Sequence, residues 1–211
     1  MKYSYNPPVF IKIMFPSFIW NTTNDKILIT FDDGPNRENT ERILNELDRY
    51  KIKALFFCVG NNILKEKQLT KCILEQGHSI GNHTFNHKRI TKLNDNDKTK
   101  EVDEVNLIMQ KEYNYKVEFF RPPYGRFNFK TSDYLVKFNL QNVMWSLLTQ
   151  DYKNKLDIVK FAVSKYLGKN SIIVLHDNPK CRRIITESIK FIVNEVNRRG
   201  FQFGEPAECL K

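Results

Sequence analysis

The sequence lacks any apolar stretch approaching the roughly 18 residues of a membrane-spanning helix, so no transmembrane segment is expected. It also lacks internal repeats, low-complexity tracts and linkers, which leaves a single domain as the economical arrangement. Cysteines are few and dispersed. Cys58, Cys72, Cys181 and Cys209 lie far apart with no C-x-x-C spacing, which argues against a disulfide framework and against a cysteine zinc site. No basic run interleaved with aromatics and no reader motif is present, so nucleic acid is not an expected partner. The first twenty residues are apolar but broken by Pro7, Pro8, Lys12 and Pro16, without a small-residue cleavage site. No signal peptide is expected from this pattern. A cytoplasmic location is the default expectation, with unconventional export or cell-envelope association left open.

What is present suits a folded enzyme-sized domain. The 211 residues can bury one substantial core but are short for two domains. Hydrophobic residues make up 41% and aromatics 13%, which excludes a disordered chain. The expectation is one domain over 1–211, with a core at about 26–205 and an N-terminal extension at 1–25, acting as a monomer. The net charge of +10 comes mostly from scattered lysines. A solvated lysine-rich surface explains it most simply; attraction to an acidic polymer, such as a charged cell-wall glycan, or to a membrane surface is the functional alternative.

Apolar runs predict strands near residues 26–31, 54–59, 78–82, 117–120, 142–146, 171–175 and 201–203. Between them, helical spacing recurs: Ile43, Leu44 and Leu47; Ile63 to Ile73; Val102, Val105 and Met109; Tyr134 to Phe138; Ile158 to Tyr166; Ile185 to Val196. Strands alternating with helices indicate an α/β fold with a mainly parallel sheet. Polar residues at successive strand ends, Asp32 and Asp33, His83 and His87, Arg121, Asp151, His176 and Asp177, would converge on one carboxyl-end face, as in barrels. Eight strand–helix units need about 250 residues, so a distorted, incomplete seven-stranded (β/α) TIM-like barrel is expected.

Three groups carry the chemistry. Asp32 and Asp33 end the first strand before Gly34-Pro35, and strand alternation would send neighbouring carboxylates to different tasks. His83 and His87, four apart, would share a face on a helical turn and grip one ion, with one of the two aspartates completing a two-His, one-carboxylate set. Zinc is the default ion, with cobalt or nickel also compatible. The other aspartate is then the natural base. His176, ending the apolar run from Ile172, is the candidate general acid. Arg121-Pro122-Pro123-Tyr124-Gly125 is a stiff turn whose Arg would hold a catalytic carboxylate ionised, while a backbone N–H from the turn would serve an oxyanion.

Thr30-Phe31-Asp32-Asp33-Gly34-Pro35, His83-x-x-x-His87, Arg121-Pro-Pro-Tyr-Gly, Trp145 with Asp151, and Val174-Leu175-His176-Asp177 occur in that order. From about Ile27 to Phe203 the chain resembles the polysaccharide deacetylases, the NodB homology domain of carbohydrate esterase family 4. The resemblance implies a distorted barrel and metal-dependent removal of N-acetyl groups from amino-sugar glycans such as peptidoglycan, chitin oligosaccharide or exopolysaccharide. It implies Asp32 as base, Asp33, His83 and His87 as metal ligands, and His176 as acid. It further implies Arg121 as tether of the base, Asp151 as the carboxylate positioning that Arg, and the Tyr124 N–H as oxyanion donor. Asp177 would orient His176. Trp145, Tyr152 and Val174 would line the acetyl pocket; Tyr152 replaces a common Trp and Val174 a common Leu. An O-acetyl esterase on acetylated polysaccharide and a non-catalytic glycan-binding module are the rival expectations.

Overall fold

The computed structural model describes residues 5–211. Seven parallel strands form one curled sheet among the described residues: β1 (Leu28–Asp32), β2 (Leu55–Cys58), β3 (Ser79–Asn82), β4 (Phe119–Phe120), β5 (Gln141–Asn142), β6 (Leu147–Leu148) and β7 (Ile172–His176). Their spatial order is β5-β4-β3-β2-β1-β7-β6, so β1 lies between β2 and β7 and the sheet stays open between β5 and β6. The fold is α/β, an incomplete barrel.

Alternation along β1 sorts its residues into two layers. Ile27, Ile29 and Phe31 join the large core beneath the helices, where the rings of Phe31 and Phe56 stack at 5.0 Å. Leu28 points the other way and joins Leu55, Phe57 and Val143 inside the curl. Thr30 and Asp32 share Leu28's parity and thus its face, which brings a carboxylate to the interior at the strand's end. All five residues of β1 are buried, as expected of a parallel strand covered on both sides.

The helices that cover the outside are α2 (Thr40–Arg49), α3 (Gly60–Lys65), α4 (Lys67–Glu75), α5 (Asp95–Tyr113), α6 (Lys130–Val136), α7 (Leu156–Tyr166) and α8 (Ile185–Arg198), preceded by α1 (Val9–Met14) and followed by α9 (Pro206–Cys209). α5 begins at Asn94, whose side chain accepts from the Asp97 N–H, and ends at Asn114 in the left-handed conformation with φ 48°. None of the helices of the described residues is long and apolar enough to cross a membrane. The four cysteines are free thiols.

Three expectations about the elements need correction. The run at 142–146 is not a strand: β5 ends at Asn142 beside β4 and β6 starts only at Leu147 beside β7, at opposite edges of the sheet. The backbone between them is turned to other partners: the Val143 and Met144 carbonyls accept from Arg121, and the Met144 N–H donates to Ile19 O. The run at 201–203 contributes only a single bridge, Ile27 to Phe203. The helix expected over 63–73 breaks at Glu66, whose φ of −117° and ψ of 51° separate α3 from α4.

The N-terminal segment closes the open side of the curl. Ile19 bridges to Val143 and Asn21 to Ser171. Phe15, Phe18 and Trp20 pack with Met144, Trp145, Leu148 and Val174, and Trp20 Nε1 donates to Phe15 O at 3.0 Å.

Candidate active site

β1 delivers Asp32 into the curl, and the next residue changes direction. Asp33 has φ 80°, a left-handed conformation outside the strand, so the two carboxylates part through a backbone turn rather than through alternation alone. Asp32 Oδ1 accepts from Arg121 Nη1 at 2.7 Å, while Asp33 Oδ1 lies 3.2 Å from His87 Nε2 and 3.7 Å from His83 Nε2.

Asp33, His83 and His87 form a cluster whose ligand atoms all lie within 4.8 Å of one another. The histidines are not on a helical turn, contrary to the spacing argument. They sit in the loop after β3, where Thr84 and His87 take positive φ values of 63° and 56°, and this coiling replaces the helix in bringing positions four apart together. His83 Nδ1–H donates to Arg121 O at 2.7 Å, which leaves Nε2 with its lone pair facing the cluster. Burial, together with the His87 charge, pushes the His83 imidazole down to about 4, so it is neutral and able to ligate. Burial would raise the Asp33 carboxyl, but its hydrogen bond with His87 and the charges of His176, His83 and His87 outweigh that and hold it well below the usual range. Asn178 Nδ2 donates to Asp33 Oδ2 at 3.0 Å and Asn62 Nδ2 to its backbone carbonyl at 2.7 Å, fixing the ligand's orientation. The donor set suits zinc or a similar divalent ion.

Arg121 is wholly buried. Its guanidinium donates to Asp32 Oδ1, Thr30 Oγ1, Val143 O and Met144 O, between 2.7 and 2.9 Å, and stacks 4.1 Å from the Phe57 ring. That ring has room because β3 carries Gly81, where a Cβ would come 2.6 Å from Phe57. Asp151 does not touch Arg121, contrary to expectation. Its Oδ1 accepts from His176 Nδ1 at 2.7 Å and its Oδ2 from the His176 N–H at 2.7 Å, because the turn at Thr149–Asp151 follows β6, next to β7 and remote from β4. Burial alone would lower His176, but the charge and hydrogen bond of Asp151 prevail and raise it to about 9. Asp177 does not orient His176 either. It accepts from Thr40 and Asn36 at 2.6 Å and packs over Gly34, and burial pushes its carboxyl up to about 7.

A cleft of about 730 Å³ gathers Asp32, Asp33, His83, His87, Tyr124, Trp145, Tyr152 and His176. Tyr124 has φ 61°, and its N–H has no hydrogen-bond partner among the described residues. The tight turn depends on Gly125, where a Cβ would come 2.3 Å from Trp145. Tyr152 is 40% exposed and meets the His176 ring edge-on at 5.1 Å. Val174 does not line the cleft; it is buried behind Trp145 and Leu148, and Leu148 supplies the aliphatic wall.

A family model described as polysaccharide deacetylase matches residues 20–143, more than half of the chain. This chain belongs to the polysaccharide deacetylase family. It is 33% identical over 155 residues to a peptidoglycan-N-acetylglucosamine deacetylase of Bacillus cereus, covering 73% of this chain and 56% of that one. It is 28% identical over 182 residues to the peptidoglycan-N-acetylglucosamine deacetylase PgdA of Listeria monocytogenes, covering 86% of this chain and 38% of that one. The chain therefore spans about half or less of the length of these curated relatives. A solved peptidoglycan N-acetylglucosamine deacetylase superposes with a TM-score of 0.88 at 26% identity, covering 96% of both chains.

Within this polysaccharide deacetylase domain, Asn62, Leu148, Thr149 and Asn178 escaped the sequence reading. Asn178 carried a signal, two residues beyond His176 at a strand end. Thr149, whose Oγ1 is 3.1 Å from Asp151 Oδ1 and donates to Val174 O at 2.7 Å, carried none.

Proposed function

We propose that this chain hydrolyses the N-acetyl group of amino sugars in a glycan, converting amide and water to free amine and acetate. The observation that supports this most directly is the meeting of three units in one cleft: the Asp33–His83–His87 cluster, the Asp32–Arg121 pair and the Asp151–His176 pair. Family membership and the names of the relatives favour peptidoglycan or a related N-acetylglucosamine polymer.

A divalent ion held by Asp33, His83 and His87, with zinc the first choice, would supply Lewis acidity and lower the pKa of a bound water. Asp32, held in place by Arg121, takes a proton from the attacking water. The free Tyr124 N–H donates to the oxygen on which charge develops. His176, held protonated by Asp151, gives its proton to the departing amine. Trp145 and Leu148 enclose the methyl group, and Tyr152 offers a ring face to the sugar.

Acetate release from N-acetylglucosamine oligomers, compared with acetylated xylan and repeated with zinc, cobalt and nickel, tests the reading. Release from the amino-sugar oligomers is expected. Release from acetylxylan alone would make the chain an O-acetyl esterase, and none from either substrate in metal-loaded protein would make it a glycan-binding module.

A further inference from the structure

The cleft is rimmed by cations. Lys65, Arg126 and Lys180 line it, and none of the three has an ion-pair partner among the described residues. Three nearby cations outside the cleft are paired, Arg37 with Glu66 at 3.0 Å, Arg182 with Glu38 at 2.9 Å and Lys88 with Glu101 at 3.1 Å. The carboxylates within the cleft are committed elsewhere, Asp32 to Arg121 and Asp33 to the histidine cluster. Three cations therefore face the substrate space without local compensation, and a concave site focuses such a field.

Their placement follows the sheet. Arg126 comes after β4, Lys65 ends α3 after β2, and Lys180 comes after β7. In the order β4-β3-β2-β1-β7 they span four strand spacings, roughly 19 Å along the sheet. An extended oligosaccharide crossing the carboxyl ends of the strands would pass all three while its acetamido group reached Trp145.

We propose that Lys65, Arg126 and Lys180 are specificity determinants that select glycans carrying carboxylates on the sugars flanking the one deacetylated. This rests on the deacetylase reading above and narrows its substrate to an anionic strand. It also gives part of the net charge of +10 a location and a task.

The test uses metal-loaded protein and three probes: a tetrasaccharide of alternating N-acetylglucosamine and N-acetylmuramic acid, the same molecule with its carboxyls amidated, and neutral N-acetylglucosamine tetramer. At low salt, kcat/KM for the free acid should exceed that for its amide by several-fold, up to about tenfold, as exposed ion pairs to its two carboxylates would provide. The difference should lie in KM and shrink as salt is raised. In the combined variant Lys65→Gln, Arg126→Gln, Lys180→Gln the ratio of acid to amide should fall toward one. Equal rates on acid and amide in the unaltered protein would overturn the proposal, as would a preference that survives in the variant. Acetate release from none of the three probes would overturn the deacetylase reading itself, and this inference with it.

Discussion

Two ion pairs of equal length flank the cleft, and they are built for opposite purposes. Asp32 meets Arg121 and Asp151 meets His176, each at 2.7 Å. Arg121 is sealed in the curl, satisfied by two backbone carbonyls and a threonine besides Asp32. A guanidinium does not release its proton in a protein, so this pair holds its carboxylate in place beside a permanent cation. His176 stands at the cleft with one hydrogen-bond partner on its ring among the described residues, and Asp151 keeps its imidazole charged up to about 9. One pair fixes a carboxylate and the other preserves a donor of protons. The identity of the cation, rather than the distance, decides which.

The largest expected effect breaks the first pair. Asp32→Asn should lower kcat by roughly 10²- to 10⁴-fold, the range for losing a general base, with metal content by elemental analysis unchanged. Ordinary turnover by this variant would remove Asp32 from the role of base. His83→Ala should abolish activity by a different route, emptying the site of metal, so the two inactive proteins should differ in bound ion. Asp151→Asn breaks the second pair. Without that charge His176 should return toward its ordinary value near 6.5, and the alkaline limb of the rate profile should move down from about 9. At pH 8 the loss should be roughly 30-fold, the change in the protonated fraction. An unmoved limb would detach His176 from the acid role. The sign for stability is the same: a raised histidine pKa contributes fully below about 6.5 and its contribution fades as pH rises through about 9. Smallest is Tyr152→Ala, which leaves both pairs intact and removes a half-exposed ring. KM for oligomers should rise about two- to tenfold, as for loss of one aromatic contact, with kcat nearly constant.

Much of the site was legible because its residues sit in short local motifs at strand ends. Asp32, Asp33, Arg121 and His176 could be placed on one face from strand counting alone, and the parallel sheet followed from the same alternation, although its seventh strand comes from β5 and β6 around 142–146 and not from 201–203. What was not legible depends on the chain folding back on itself. The left-handed turn at Asp33 has no residue signature, since an aspartate there gives no more warning than any other. The partner of Asp151 is decided by β6 leaving β5 and joining β7 across the sheet, and the apolar run at 142–146 reads as one strand because composition does not reveal that its carbonyls turn toward Arg121. Val174 and Leu148 exchange roles for the same reason: which side chain reaches the cleft depends on the placement of β6 against β7.

The plug made by the N-terminal segment also has a meaning in time. Ile19 bridges to Val143, Asn21 to Ser171, and the cluster around Trp20 needs Trp145, Leu148 and Val174. This segment thus waits for residues more than a hundred positions later in the chain before it finds its seat. Contacts of such wide separation form late and slowly. The wall that Trp145 and Leu148 give the cleft is accordingly incomplete in every nascent chain that stops short of β7, and the whole cleft exists only after the last strand of the sheet has been made.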